Sequence, residues 1–203
     1  MFKTSALAAA FGLALTSAAS ASVVIFTDNF DGEALGTNAT LDQWTVTRDS
    51  VDVIGSGFFD FYPGNGNYLD LNGSTSSQGQ TEGRIETGPL GLTLGKRYEL
   101  SFSYGTNSRP GPLPAILTFG LGTDTQQLII NTIPGSLVDV VYSFIYDGSG
   151  NFLSFADDSG TPGDQGGPII DNVRLALVPL PAGGFLLIGG LAGLAALRRR
   201  KTA

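Results

Sequence analysis

The chain has 203 residues with 11 lysines and arginines against 18 aspartates and glutamates, and it contains neither histidine nor cysteine. Lack of histidine excludes a Ser/His/Asp or Cys/His triad and any His-ligated zinc centre, and lack of cysteine leaves stability to burial or to a metal held by oxygen. The cations gather at the ends, so residues 22 to 177 keep all 18 carboxylates but only six cations, a net charge of −12. Such a body repels nucleic acid and anionic headgroups and leaves neutral glycans and divalent cations as partners.

The chain opens with MFKTSALAAAFGLALTSAASAS: one cation at Lys3, an apolar run from Ala6 to Leu15, and small residues at Ala19, Ser20 and Ala21. That order predicts a secretory signal peptide over residues 1–21, cut by signal peptidase after Ala21, because the apolar run is too short for a permanent span.

From residue 22 the pattern has period two. In RYELSFSYG (97–105), Tyr98, Leu100, Phe102 and Tyr104 fall on one face and Glu99, Ser101 and Ser103 on the other, which predicts a half-buried strand. The same reading predicts strands at VVIFTD (23–28), QWTVTR (43–48), FFDFY (58–62), NYLDLN (67–72), GRIET (83–87), AILTFGL (115–121) and QQLIINTI (126–133). VDVVYSFIYD (138–147), FLSFAD (152–157) and PIIDNVRLALV (168–178) complete the set, with turn clusters such as PGNGN, NGSTSSQG, DGSGN and DDSGTPGDQGG between them. Short strands without a helix pattern after the leader predict an all-β domain over 22–177, a two-sheet jelly-roll β-sandwich. An up-and-down barrel suits the uneven loops less well. GNGNY opens no helix pattern, so it is no phosphate-binding fingerprint.

The chain closes with VPLPAGGFLLIGGLAGLAALRRRKTA (178–203). Residues 182–197 form an apolar run of 16 residues, a helix of roughly 24 Å against a hydrocarbon core of ~30 Å, so it spans only marginally. Arg198, Arg199, Arg200 and Lys201 would hold its end on the cytoplasmic side. Val178, Pro179, Leu180, Pro181 and Ala182, followed by the apolar run and the arginines, resemble the PEP-CTERM sorting signals in their VPLPA-type branch; Leu180 stands where the main class has Glu. The resemblance implies a membrane-bound intermediate, recognition by an exosortase-type sorting enzyme, and delivery of the body to the cell surface or extracellular space. A plain single-span anchor is the other reading.

VDVIGSGFFDFYPGNGNYLDLNGS, RYELSFSYGTN and PIIDNVRL resemble, in their order, galactose-binding-like jelly-roll modules of exported cell-wall proteins, over roughly residues 51 to 177. If PIIDNVRLAL alternates regularly, Asp171 shares a face with Ile169, Val173, Leu175 and Leu177, and a buried carboxylate there needs a metal or hydrogen-bond donors. The resemblance implies one structural calcium near the first and last strands, for which Asp28, Asp31 and Asp171, with Glu33, are the hard oxygen ligands. The other reading has Asp171 capping a turn. DDSGTPGDQGG lacks the EF-hand spacing and reads as a solvated loop.

Phe58, Phe59, Phe61, Tyr62 and Tyr68 crowd a glycine-rich turn where rings could stack on sugar faces, with Asp60, Asn65 and Asn67 taking the hydroxyls; alternatively the rings, like Trp44, fill the core. Asp60, Asp70, Glu82 and Glu86 are carboxylates whose spacing selects no catalytic pair. The expected function is therefore non-catalytic polysaccharide binding outside the cell, ahead of a self-associating matrix protein and, last, a glycoside-active enzyme.

Overall fold

The computed structural model describes residues 22–75, 79–107, 113–160 and 167–179. The predicted signal peptide (1–21), the sorting motif from Leu180 onward, the predicted helix over 182–197 and the basic tail lie outside the described residues. In chain order the strands are β1 (Val23–Asp28), β2 (Trp44–Arg48), β3 (Asp52–Gly55), β4 (Asn67–Asp70), β5 (Asn72–Thr75), β6 (Gly79–Glu82) and β7 (Arg84–Thr87). They continue as β8 (Arg97–Thr106), β9 (Ala115–Leu121), β10 (Asp124–Ile130), β11 (Val138–Ile145), β12 (Leu153–Asp157) and β13 (Pro168–Leu177).

Two antiparallel sheets face each other, as an all-β sandwich requires. One runs β11-β8-β13-β4-β3, with β1 also paired to β13, and the other runs β10-β9-β12-β7-β2. The chain changes between the two sheets at β1–β2, β2–β3, β7–β8, β8–β9, β10–β11, β11–β12 and β12–β13, so each sheet's apolar face is built from residues distant in sequence. β5 and β6 form a separate two-stranded hairpin. Residues Ser22–Val178 form one compact unit.

The alternation read from the sequence sets the core. Phe102 of β8 meets Phe119 of β9 at 4.9 Å and Phe155 of β12 at 5.1 Å, and Tyr142 of β11 meets Phe119 at 4.5 Å between ring centres. Trp44 is packed by Phe26, Phe30 and Phe155, so it is a core residue. Each such buried ring contributes about 1.5–3 kcal/mol from area removed from water.

Three details depart from the sequence pattern. FFDFY (58–62) is not a strand: Phe59 takes a positive φ of 51° and Gly55 and Phe58 form an isolated bridge. The backbone N–H groups of Phe61 and Tyr62 donate to the Tyr68 hydroxyl rather than to a neighbouring strand. On that side of β4 the partner is instead β3, at DVIG, where all four residues are buried and no alternation marks the element. Third, NYLDLN splits at Leu71 into β4 and β5.

β13 carries a bulge between Asp171 and Arg174, with Asn172 at a φ of 51°. Before the bulge Ile170 joins the main core while Ile169 joins a smaller cluster on the outer side with Ile54, Tyr62 and Tyr68; after it Val173 and Leu175 point inward. One inserted residue flips the alternation. Asp171 therefore lies on the outer side with Ile169 and its cross-strand neighbour Ser103, not on the apolar face shared by Val173, Leu175 and Leu177.

Candidate functional site

The bulge delivers Asp171 to a corner where the first and last strands meet. Asp171 is 1% exposed; its Oδ1 accepts the Asn172 backbone N–H at 2.6 Å and its Oδ2 accepts Asn172 Nδ2 at 3.0 Å. Burial raises its pKa to about 7, and the charges of Asp31, Asp28 and Asp139 add to the rise. Those four carboxylates share one electrostatic neighbourhood, three of them the residues expected to hold calcium.

Each of the other two expected ligands is also held by donors. Asp28 accepts the Phe30 N–H at 2.9 Å and Trp44 Nε1–H at 2.8 Å. Asp31 accepts the Asn67 N–H at 2.9 Å and Asn29 Nδ2–H at 2.7 Å. Glu33 accepts the Asp42 N–H at 2.9 Å; burial raises its pKa, and the charges of Asp42 and Asp28 add to the rise. The donors are hard oxygens with surplus negative charge, which suits calcium, although among the described residues no three acidic side chains form a preformed metal cage.

From this corner a furrow of ≈ 350 Å³ runs over the outer face of β8, β11 and β13, lined by Ser101, Phe102, Ser103, Asp139, Val140, Val141 and Asn172. Its polar side chains are chained together. Asn172 Nδ2 donates to Ser103 Oγ at 3.3 Å, and Ser103 Oγ donates to Asp139 Oδ1 at 2.6 Å. Val141, exposed, supplies an apolar surface beside them. A second opening of ≈ 430 Å³ lies between the 38–41 loop and β2, lined among others by Asn38, Thr40, Thr45 and Asp49.

The aromatic turn divides into buried and exposed parts. Tyr62 and Tyr68 are buried. The Tyr62 hydroxyl donates to the Thr106 carbonyl at 2.6 Å and accepts the Thr106 N–H at 3.0 Å, and the ring lies against Gly105, where an added Cβ would sit 2.6 Å from it. The Tyr68 hydroxyl donates to Asp60 Oδ1 at 3.0 Å, and burial pushes it well above its usual pKa. Neither ring presents a face outward. Asn65 Nδ2 donates to the Tyr62 carbonyl at 2.7 Å and Asn67 Nδ2 to the Glu33 carbonyl at 3.0 Å, while Phe59 is exposed.

A second acidic group lies at the Pro168 end of β13, where Asp70 stands opposite Ile169, two residues from Asp171; sequence reasoning named Asp70 but passed over Asn72 and Asp157. Asp70 and Asp157 are 4% and 0% exposed, and Asn72 between them is 2% exposed. Asp157 could have been found in LSFAD, where Leu153, Phe155 and Asp157 alternate onto the inner face. The remaining candidate carboxylates are separately engaged: Glu86 is paired with Arg84 at 2.8 Å and Asp60 is held by Tyr68.

No protein-family model matches the sequence, and no curated protein is similar to it. Among solved structures the chain is similar to the K3 cleaved adhesin domain of Lys-gingipain from Porphyromonas gingivalis w83, with a TM-score of 0.50 and 11% identity over 77% of this chain and 99% of that one. It is also similar to arabinose-bound MgGH51 α-L-arabinofuranosidase, with a TM-score of 0.51 and 15% identity over 77% of this chain but only 26% of the enzyme. The CBM22-1 xylan-binding domain of Paenibacillus barcinonensis Xyn10C aligns over 80% of this chain and 99% of its own, at 20% identity and a TM-score of 0.48. The first two likenesses agree with the two-sheet fold.

Proposed function

We propose that the chain is an exported, non-catalytic polysaccharide-binding module that acts at the cell surface or in the extracellular matrix. The observation that carries this reading is the furrow: a hydrogen-bonded row of Asp139, Ser103 and Asn172 beside exposed Val141, on the rigid surface of three paired strands. Small polar groups next to an apolar patch fit alternating hydroxyls and C–H faces of a sugar chain, and the volume lies in the range of ligand sites. The leader and the VPLPA-type tail support export, with signal peptidase and an exosortase-type enzyme as processing partners. Calcium at the corner, held by Asp171 with Asp28 and Asp31, would relieve the mutual repulsion of those carboxylates and stiffen the bulge beside the furrow.

A catalytic role is disfavoured by accessibility. Asp139 and Asp171 have the differing environments of an acid/base pair, but Asp171 is buried, so a glycosidic oxygen has no route to it.

Calorimetric titration of the purified chain with xylan, arabinan and galactan, and with the source organism's own extracellular polysaccharide, tests the reading. Saturable binding that Asp139→Ala weakens about tenfold, roughly the effect of one lost charge-assisted hydrogen bond, is the expected outcome. A folded chain that binds none of them sinks it. Exposed Ile129, Val141 and Ile145 on the outermost strands β10 and β11 then make self-association the leading account, read as concentration-dependent sedimentation.

A further inference from the structure

We propose that Asp70, Asn72 and Asp157 form a second cation site, for calcium, at the Pro168 end of β13, next to the Asp171 corner but built from other residues. Asn72 sits between the two acids. Its backbone N–H donates to Asp70 Oδ1 at 2.9 Å and its Nδ2 donates to Asp157 Oδ2 at 3.2 Å. Its remaining polar atom, Oδ1, is buried and has no hydrogen-bond partner. Native proteins seldom leave such an oxygen orphaned, and one common explanation is an ion.

The charges point the same way. Asp70 accepts from Asn72 N and from Asn107 Nδ2 at 3.1 Å, and Asp157 accepts from Asn72, from the Ser159 N–H at 3.0 Å and from the Ser159 hydroxyl at 2.5 Å. Among the described residues neither acid has an ion-pair partner. Arg48 comes near, but its Nη2 donates to the Asp157 backbone carbonyl and to Asp158 Oδ1 at 2.8 Å rather than to the Asp157 carboxylate. Asp52 lies directly across the ladder from Asp70, and its charge, like that of Glu82 on Asp157, adds to the repulsion. Two buried carboxylates are thus bridged by one residue whose amide oxygen is unpartnered, and among the described residues neither carboxylate has an ion-pair partner.

The surrounding backbone is shaped for close approach. A Cβ on Gly167 would lie 2.2 Å from Asn72 Cβ and 3.0 Å from Asp157 Oδ2, so only glycine lets the chain close over this group. Calcium fits better than magnesium because it accepts mixed carboxylate and amide oxygens in irregular arrangements, whereas magnesium demands a near-ideal octahedron.

The test is calcium titration of the full chain by calorimetry, with terbium luminescence as a second readout. Wild type is expected to take up calcium in preference to magnesium, and Asp171→Asn, which disables the corner, is expected to keep one bound ion. Asp157→Asn and Asn72→Ala in that background should weaken the remaining ion on the order of tenfold or more, since each removes one oxygen ligand. Uptake that vanishes with Asp171→Asn, or that survives Asp157→Asn and Asn72→Ala unchanged, overturns the site, and so does a wild-type chain that binds no calcium. Near-ultraviolet circular dichroism in chelator checks that each variant folds. Should a variant not fold, hydrogen exchange on wild type decides: calcium slowing the Asn72 and Ser159 amides supports the site, and unchanged rates refute it. Glycan binding at the furrow is a separate readout, so this proposal and the functional one can fail independently.

Discussion

The acidic corner and the acidic end use the same chemistry in different surroundings. At the corner, one buried acid, Asp171, is ringed by Asp31 and Asp139, which are exposed and therefore screened by water. At the end, Asp70 and Asp157 are both buried and share a buried amide. Charge repulsion that solvent partly screens in the first place is screened less in the second, so hydrogen bonding and ion binding should govern stability more strongly at the end.

The largest expected effect comes from Asp157→Ala, which strands the Asn72 amide and the Ser159 N–H in a dry site; urea unfolding should show a loss of about 3 kcal/mol. Asp31→Ala, which removes an exposed acceptor of the Asn67 N–H, should cost about 1 kcal/mol or less in the same assay. Equal losses would erase the distinction between the two regions.

The next effect is on pH dependence. Asp70, Asp157 and Asp171 are raised from 3.8 to about 8, 6 and 7, so the folded chain holds protons that the unfolded chain has released. Their contribution is fully present below pH 3.8 and is lost as pH rises toward 8, so thermal midpoints measured in chelator should fall across that window. Calcium should flatten the decline, because a bound cation stabilises the ionised acids. A midpoint that climbs between pH 5 and 8 in chelator would contradict the burial of these groups.

The smallest effect is that of Asp171→Asn, which keeps an acceptor but removes a partly compensated charge: in chelator at pH 8 it should raise stability by about 1 kcal/mol. Lower stability in chelator would mean that the carboxylate's bonds to Asn172 outweigh its burial and its repulsion by Asp31, Asp28 and Asp139.

Regular alternation made much of the sandwich legible, and β8 follows its predicted faces from Tyr98 through Phe102. The two buried acids show where that rule stops. Asp157 obeys it, ending an inward row with Leu153 and Phe155, whereas Asp171 sits just before a bulge that composition does not mark, and the predicted face is wrong by one residue. β3 was invisible because a fully buried four-residue strand has no polar phase to alternate with. FFDFY looked like a strand because its rings are apolar, yet the backbone N–H groups of Phe61 and Tyr62 are taken by one tyrosine hydroxyl, that of Tyr68, which no periodicity reports. Of the sugar-binding candidates, Tyr62 and Tyr68 carry the same aromatic signal as exposed Phe59, and only tertiary packing separates them.

The antiparallel pairing of β1 with β13 sets Val23 opposite Leu177, so the body begins and ends side by side. A force applied between those ends would peel β1 away one hydrogen bond at a time, like a zipper, and meet little resistance. If the furrow holds a glycan chain as proposed, a force passed from Val178 to that chain would take another route, along β13 and across its pairing with β8, which runs from Pro168 to Leu177. That ladder is loaded in shear, with many bonds sharing the strain at once. Such a body would resist load between Val178 and the furrow far better than load between its own two ends.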